Sequence, residues 1–190
     1  MRIGRLILMF LIFVMSYVSC VKEEYYIQKP EALIKVSPPL EETLFYENDI
    51  IAFHYSASSF LQRDEISFSV IYPAYNSKIR FFVSTLEDLS IEIYNFERSI
   101  GVHEDQGALV NANIIENPDE NIYGVLCYLE GNNIATSAQF FITDSTDYFI
   151  RGGVEFNTSI NSEIIPQNRI MRSELLNFVT SFRWSQTEIK

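Results

Sequence analysis

The stretch that decides the fold runs from Ala135 to Phe156 and reads ATSAQFFITDSTDYFIRGGVEF. Two segments rich in aromatic and β-branched residues, Ala135 to Thr143 and Tyr148 to Phe156, flank the polar sequence DSTD. Such segments favour strands, and a link of a few polar residues joins antiparallel neighbours, because parallel strands need a long crossover. The stretch therefore predicts an antiparallel hairpin.

Segments of the same composition lie on the N-terminal side of this hairpin. The nearest is connected to it through Glu130-Gly131-Asn132-Asn133, and Phe68, Val70 and Tyr72 fall on one face of another. Together they predict further strands at Ile50 to Tyr55, Ile66 to Tyr72, Lys78 to Val83 and Tyr123 to Leu129, with a short strand at Ala112 to Ile115.

A change of period after the third of these strands predicts a helix. Ser84-Thr85-Leu86-Glu87 has the form of a capping box, which would start a helix running from about Thr85 to Ser99. An apolar stripe at steps of three or four supports the helix. The stripe consists of Leu86, Leu89, Ile93, Phe96 and Ile100. Apart from the short strand, Gly101 to Asp119 is predicted to be loop.

A second helix closes the sequence. Pro166 suits its first turn, and its apolar face is formed by Met171, Leu175, Phe178 and Phe182, widened by Leu176 and Val179. Strands adjacent in sequence and two helices predict an α+β fold, an antiparallel sheet of about six strands packed by two main helices. We expect one domain over residues 45–184 and a short tail at 185–190.

The first residues have the layout of a secretory signal peptide. Arg2 and Arg5 precede the apolar run from Leu6 to Val14, which is too short to span a bilayer comfortably. Tyr17-Val18-Ser19-Cys20 resembles a bacterial lipobox, except that its first position is usually Leu. We expect residues 1–19 to be removed, Cys20 to carry lipid and residues 20–44 to form a tether; the alternative is an ordinary signal peptide with an incidental cysteine.

Composition excludes several classes of function. The formal charge is −11, and it becomes about −13 without residues 1–19, so binding to nucleic acid is not expected. Two histidines, His54 and His103, are too few for a His-rich metal site, and we predict no metal and no cofactor. No nucleotide-binding loop or nucleophile elbow is present. Cys127 is interpreted as a buried thiol, although its pairing with either histidine as a nucleophile stays open.

Several motifs resemble the gliding motility lipoprotein GldD family of Bacteroidetes. The C-terminal half of that family is similar to the succession from Asn117 to Trp184, most specifically the turn Thr143 to Thr146 followed by Phe149-Ile150-Arg151-Gly152. Upstream, Ile71-Tyr72-Pro73 and Lys78-Ile79-Arg80-Phe81 resemble it more loosely. The segment from Asn95 to Val110 departs from the family pattern, and cysteines found in the first strands of some members are absent.

The resemblance implies an envelope lipoprotein that is required for gliding motility, linked to type IX protein secretion and free of catalytic residues. Its implied partners are envelope proteins of that apparatus, and its expected place is the outer rather than the inner membrane, facing either the periplasm or the medium. The sheet and closing helix also resemble a PsbP or Mog1 type of sandwich. The rival hypothesis is a ligand-binding module or small hydrolase.

One surface is singled out by these motifs: Asp144, Ser145, Thr146 and Arg151. The first three are also typical turn residues, because their side chains bond nearby amides, and they match a short sequence on which Bacteroidetes attach O-linked sugars. The turn is the favoured interpretation and is compatible with sugar attachment, and we also predict that these four residues form a partner or turn surface.

Overall fold

A computed structural model describes residues 42–131 and 134–185 of the chain. The predicted signal peptide, Cys20 and nearly all of the predicted tether lie outside the described residues. In the part that is described, neither helix is both long and apolar enough to cross a membrane.

The described residues form ten strands and two α-helices. The strands are β1 Thr43–Glu47, β2 Ile51–Ser56, β3 Phe60–Arg63, β4 Ser67–Tyr72, β5 Ser77–Thr85, β6 Leu109–Asn117, β7 Ile122–Glu130, β8 Ile134–Thr143, β9 Tyr148–Ile160 and β10 Arg183–Trp184. The helices are α1 Leu89–Asp105 and α2 Ile165–Ser181.

The strands pair into two antiparallel sheets over the described ranges. The larger sheet has seven strands in the order β3-β4-β5-β9-β8-β7-β6, and the smaller has the order β1-β2-β10. The α+β class with an antiparallel sheet and two helices is confirmed. The sequence did not predict β1, β3 and β10, which are short and mostly exposed and so lack a buried face that would produce a regular apolar pattern.

The main core lies between one face of the large sheet and a layer made of α2 and the small sheet. Its centre is Phe178, whose ring lies 4.8 Å from that of Phe53 in β2 and 5.0 Å from that of Phe81 in β5. Pro166 occupies the first turn of α2, as predicted. One position of the predicted stripe is wrong: Leu176 is 46% exposed, because it lies at the margin of the face that packs on the sheet.

The predicted start of the first helix is wrong. Ser84 and Thr85 continue β5, where they pair with Phe149 and Tyr148, and the Ser84 hydroxyl donates to the Phe149 carbonyl oxygen at 3.0 Å. The helix is instead capped by Asp88, whose carboxylate accepts from the backbone N–H groups of Ser90 and Ile91. Strand pairing with a distant segment overrides the local capping signal.

The predicted loop from Gly101 to Asp119 is also wrong in most of its length. Helix α1 continues to Asp105, so that His103 lies in its last turn, and β6 then runs along β7 over nine residues. Strand β6 is the edge of the sheet and is largely exposed, so its sequence carries no regular alternation that would have predicted its length.

Helix α1 covers part of the opposite face of the large sheet. Phe96 and Ile100 of the predicted stripe pack against Cys127, Phe141 and Phe149, which confirms the buried face of the helix and the buried state of the thiol. The face of the sheet beside this cluster, over β5 and the middle of β9, is not closed by the helix and contains a cleft.

Candidate functional site

The cleft has a volume of about 560 Å³ and lies between the C-terminal half of α1 and strands β5, β9 and β8. Helix α1 contributes Phe96, Ser99 and His103 to its wall. Clefts of 300–1,000 Å³ with a few convergent polar groups are the usual form of ligand sites. The cleft is therefore the best candidate for a functional site in the described structure.

Two arginines from neighbouring strands line this cleft. Arg80 of β5 is opposite Gly153 of β9, and Phe82 is opposite Arg151, so both arginines lie on the same face and are diagonal neighbours. Diagonal neighbours in an antiparallel pair are about 7–8 Å apart. The Arg80 guanidinium lies over the Phe82 ring, 5.1 Å from its centre, a cation–π contact that holds its position.

Neither arginine forms an ion pair with a carboxylate of the described residues. Glu155 also lines the cleft, but its carboxylate is bound to the Lys78 ammonium at 3.1 Å. The Nε of Arg80 is buried and has no hydrogen-bond partner in the described part of the chain. The cleft therefore carries uncompensated positive charge within a chain of formal charge −11.

A chain of polar side chains links the helix to the sheet across the cleft. The Ser99 hydroxyl lies 3.0 Å from Oε1 of Gln139, and Nε2 of Gln139 lies 2.9 Å from Nε2 of His103. Because this contact occupies Nε2 of the imidazole, Nδ1 is left buried without a hydrogen-bond partner among the described residues in either tautomer. The histidine is thus held in place through one nitrogen only.

The floor of the cleft is formed by backbone at an irregular part of the sheet. The pairing of β8 with β9 changes register between Ile134 and Gln139, and the Thr136 hydroxyl lies 2.6 Å from the Val154 carbonyl oxygen. A Cβ atom on Gly153 would come within 2.6 Å of the Ala138 carbonyl oxygen. Bulges of this kind are common beside functional sites because they redirect the strand. Gly153 adds no side chain to the floor of the cleft.

The residues singled out from the sequence do not all lie in this cleft. Asp144, Ser145 and Thr146 form the turn between β8 and β9, where the Asp144 carboxylate accepts from the backbone N–H groups of Thr146, Asp147 and Tyr148. Asp144 and Thr146 line a second, acidic cavity with Asp119, Glu120 and Trp184. Of the four predicted residues only Arg151 lines the cleft.

The residues of the nucleophile hypothesis form no hydrogen bond with one another in the described structure, although Cys127 is opposite Gln139 in the β7–β8 pair and Gln139 contacts His103 at 2.9 Å. Cys127 lies under α1 and is not among the residues that line the cleft, whereas His103 lines it. Burial, together with the nearby charge of Glu104, raises the pKa of the Cys127 thiol and so disfavours the reactive thiolate. His54 is exposed on β2, beside the Phe45 ring at 5.0 Å. Within the described residues no group of His, Cys, Asp and Glu is arranged to hold a metal ion.

Sequence reasoning missed Arg80, Gln139 and His103 as parts of one site. The alternation of Arg80 with buried Ile79 and Phe81 places it on the face opposite the main core. Its proximity to Arg151, however, depends on the pairing of β5 with β9, which are separated in sequence by α1, β6, β7 and β8. Neither composition nor period could have supplied that pairing.

The chain matches a known protein family over most of its length. A family model described as "Gliding motility lipoprotein GldD" matches residues 23–184. This range contains all the described strands and helices, including the two arginines of the cleft. No curated protein matches the chain significantly.

Proposed function

The chain belongs to the gliding motility lipoprotein GldD family, and we propose that it acts as a non-catalytic accessory component of the gliding apparatus, linked to type IX protein secretion. The observation that carries this proposal is the match over residues 23–184, which begins just after Cys20 and includes every element of the described fold. The family description supports a role in gliding and a lipid anchor in the cell envelope.

The positions of two reactive side chains in the described structure support a non-catalytic function. The Cys127 thiol is buried with a raised pKa, and the Asp144 carboxylate is occupied by three backbone N–H groups of its turn. Neither group lines the cleft beside α1. An accessory role would instead depend on surfaces that contact envelope proteins.

The proposed anchor is lipid attached to Cys20, after removal of residues 1–19. A tether would then lead to the domain, which begins by Thr43, where β1 pairs with β2. Lipid chains contribute about 0.8 kcal/mol per buried methylene group, and several chains give stable attachment without a spanning segment. We propose that this attachment is to the outer membrane.

A genetic experiment tests the function. In the organism that carries the gene, the gene is deleted, and colony spreading is measured together with the amount of protein released into the medium. We expect both to fall sharply, and we expect a wild-type copy but not a Cys20→Ala copy to restore them. Unchanged spreading and secretion in the deletion strain would overturn the proposal.

The anchor is tested separately, with the second cysteine as a matched control. Cells are fed an alkyne analogue of palmitate, and its incorporation into the protein is measured. We expect Cys20→Ala to abolish labelling and Cys127→Ala, which alters the buried thiol, to retain it. Labelling of the Cys20→Ala protein would show that the anchor is elsewhere.

A further inference from the structure

We propose that the cleft beside α1 binds an extended acidic segment of a protein partner, with two carboxylates of that segment paired to Arg80 and Arg151. This inference rests on the proposed function in one respect, since an accessory component of a protein apparatus needs protein partners. The chemistry of the ligand comes from the cleft itself.

The cleft carries positive charge that no carboxylate of the described residues pairs with. A guanidinium that is partly removed from water without a counter-ion costs free energy, and a carboxylate that binds it recovers that cost through charge-assisted hydrogen bonds. In the described structure Glu155 is already occupied by Lys78, so no side chain of the cleft serves this purpose for Arg80 or Arg151. Arg80 is half-buried with its Nε unpartnered and Arg151 is exposed, so a ligand carboxylate would supply the partner that each lacks in the described structure.

Two side chains of the cleft are already held in position before a ligand binds. Arg80 is held over the Phe82 ring at 5.1 Å, and the imidazole of His103 is held through Gln139 at 2.9 Å. Side chains that are already fixed lose little conformational entropy when they bind, which makes the binding free energy more favourable.

The spacing of the two arginines suits an extended peptide. Arg80 and Arg151 are diagonal neighbours on one face, at about 7–8 Å. In an extended peptide, side chains at positions i and i+2 lie on one side and are about 6.6 Å apart. Two acidic residues separated by one residue would therefore reach both arginines, whereas two adjacent acidic residues would point to opposite sides.

The acidic character of the whole chain does not prevent this contact. At physiological ionic strength charges separated by more than about 8 Å are largely screened, so distant acidic groups contribute little at the cleft, where Arg80 and Arg151 outnumber Glu155. The volume of about 560 Å³ exceeds what one carboxylate would fill, and the half-buried Phe82 and Phe156 offer apolar surface to the rest of the segment.

The test uses the full chain in detergent and a fluorescein-labelled peptide, Ser-Glu-Ser-Glu-Phe-Ser, with binding followed by fluorescence anisotropy. We expect saturable binding that weakens about tenfold or more when both Glu are replaced by Gln, and also when the order is changed to Ser-Glu-Glu-Ser-Phe-Ser. Equal binding of the Gln peptide, or no binding of the Glu peptide up to about 1 mM, would overturn the proposal.

Protein variants locate the contact. Arg80→Gln and Arg151→Gln should each weaken binding of the Glu peptide about tenfold. The matched control is Arg63→Gln, because Arg63 also lies over an aromatic ring, that of Phe68 at 5.4 Å, but on the edge strand β3 and outside the cleft. Its affinity should stay within about twofold of wild type. An equal loss in the Arg63 variant would show a nonspecific charge effect and contradict the proposal.

A last arm separates a protein segment from a free small acid. Glutarate, which carries two carboxylates, is titrated against the bound peptide, and we expect it to compete only at a concentration at least about tenfold higher than unlabelled peptide. Equal competition would make the cleft a site for small dicarboxylates. The binding test and the deletion test fail independently. If the peptide binds but deletion of the gene leaves gliding and secretion unchanged, only the proposed function is overturned. If deletion abolishes both but the peptide does not bind, only the cleft proposal is overturned.

Discussion

The two faces of the large sheet are completed in different ways within the described structure. On one face α2 and the small sheet cover a buried aromatic core, in which Phe178 contacts rings from β2, β5 and β8. On the other face α1 packs on a smaller apolar cluster and leaves Arg80 and Arg151 in an open cleft. Alternate residues of the same strands therefore have different roles. Those on the core face stabilise the fold, and those on the opposite face form a charged surface.

The largest effect that would test this division is the loss of the ring at the centre of the core. Phe178 is 1% exposed, and Phe178→Ala should lower the free energy of unfolding by about 3–5 kcal/mol, because a cavity is left where four other rings converge. Leu176→Ala, on the same helix but half-exposed, is the control and should cost less than about 1 kcal/mol. Urea denaturation measures both, and equal losses would contradict the division.

A smaller loss of stability is expected at Gly152, where the neighbouring strand leaves no room for a side chain. A Cβ atom on Gly152 would lie 2.4 Å from the Arg80 carbonyl oxygen and 2.6 Å from Cβ of Phe81, so Gly152→Ala should destabilise the fold by about 1–3 kcal/mol. Gly101→Ala, in α1 with nothing within 4 Å of the added atom, should instead stabilise it by about 0.5–1 kcal/mol. Thermal denaturation distinguishes the two signs, and a stable Gly152→Ala protein would show that β5 and β9 can move apart.

The core face was largely predictable from the sequence, whereas the cleft was not. Phe68, Val70 and Tyr72, and the stripe of Met171, Leu175 and Phe178, are buried as their periods predict, since burial of one face leaves a direct pattern. The hairpin from Ala135 to Phe156 also forms as its turn residues predict.

Two kinds of information were missing for the rest. Ser84 to Glu87 has the sequence pattern of a capping box, but the pairing of Ser84 and Thr85 with Phe149 and Tyr148 keeps these two residues in a strand. The cleft joins residues from β5, α1, β8 and β9 that are far apart in sequence. Its polar residues have no period of their own, so only the order of strands in the sheet brings them together.

A buried carboxylate interrupts the apolar character of the core face and predicts a dependence on pH. Glu174 is 5% exposed and accepts a hydrogen bond from the Tyr72 hydroxyl at 3.0 Å. Burial raises the pKa of Glu174, against a smaller lowering by the Tyr72 hydrogen bond. Burial and the Glu174 charge also raise the pKa of Tyr72, which keeps the phenol protonated as the donor.

The sign of this effect follows from proton binding. In the window above the ordinary value of 4.5 and up to the raised pKa, the folded protein binds more protons at Glu174 than the unfolded chain does, so stability falls as pH rises. Glu174→Gln keeps an acceptor for Tyr72 and removes the ionisation, and should increase the free energy of unfolding at neutral pH by about 1 kcal/mol relative to wild type.

Urea denaturation between pH 4 and pH 8 measures this prediction. The difference between wild type and Glu174→Gln should grow with pH, and a constant or shrinking difference would contradict it. Glu97→Gln, at an exposed position on α1, changes the net charge by the same amount and controls for that change.

The smallest effect is expected for an arginine of the cleft, and it is informative when set beside an arginine that binds the protein itself. Arg172 of α2 donates to the Leu129 carbonyl oxygen at 2.7 Å, pairs with Glu130 at 3.3 Å and lies over the Tyr128 ring at 5.1 Å. Arg172→Gln should therefore lower the free energy of unfolding by about 1 kcal/mol.

Arg151→Gln should change the free energy of unfolding by less than about 0.5 kcal/mol, because Arg151 has no such ion pair in the described residues. If urea denaturation instead showed that Arg151→Gln costs as much as Arg172→Gln, the cleft arginine would be part of the fold. A near-zero cost would leave its charge free for a ligand, as the cleft proposal requires.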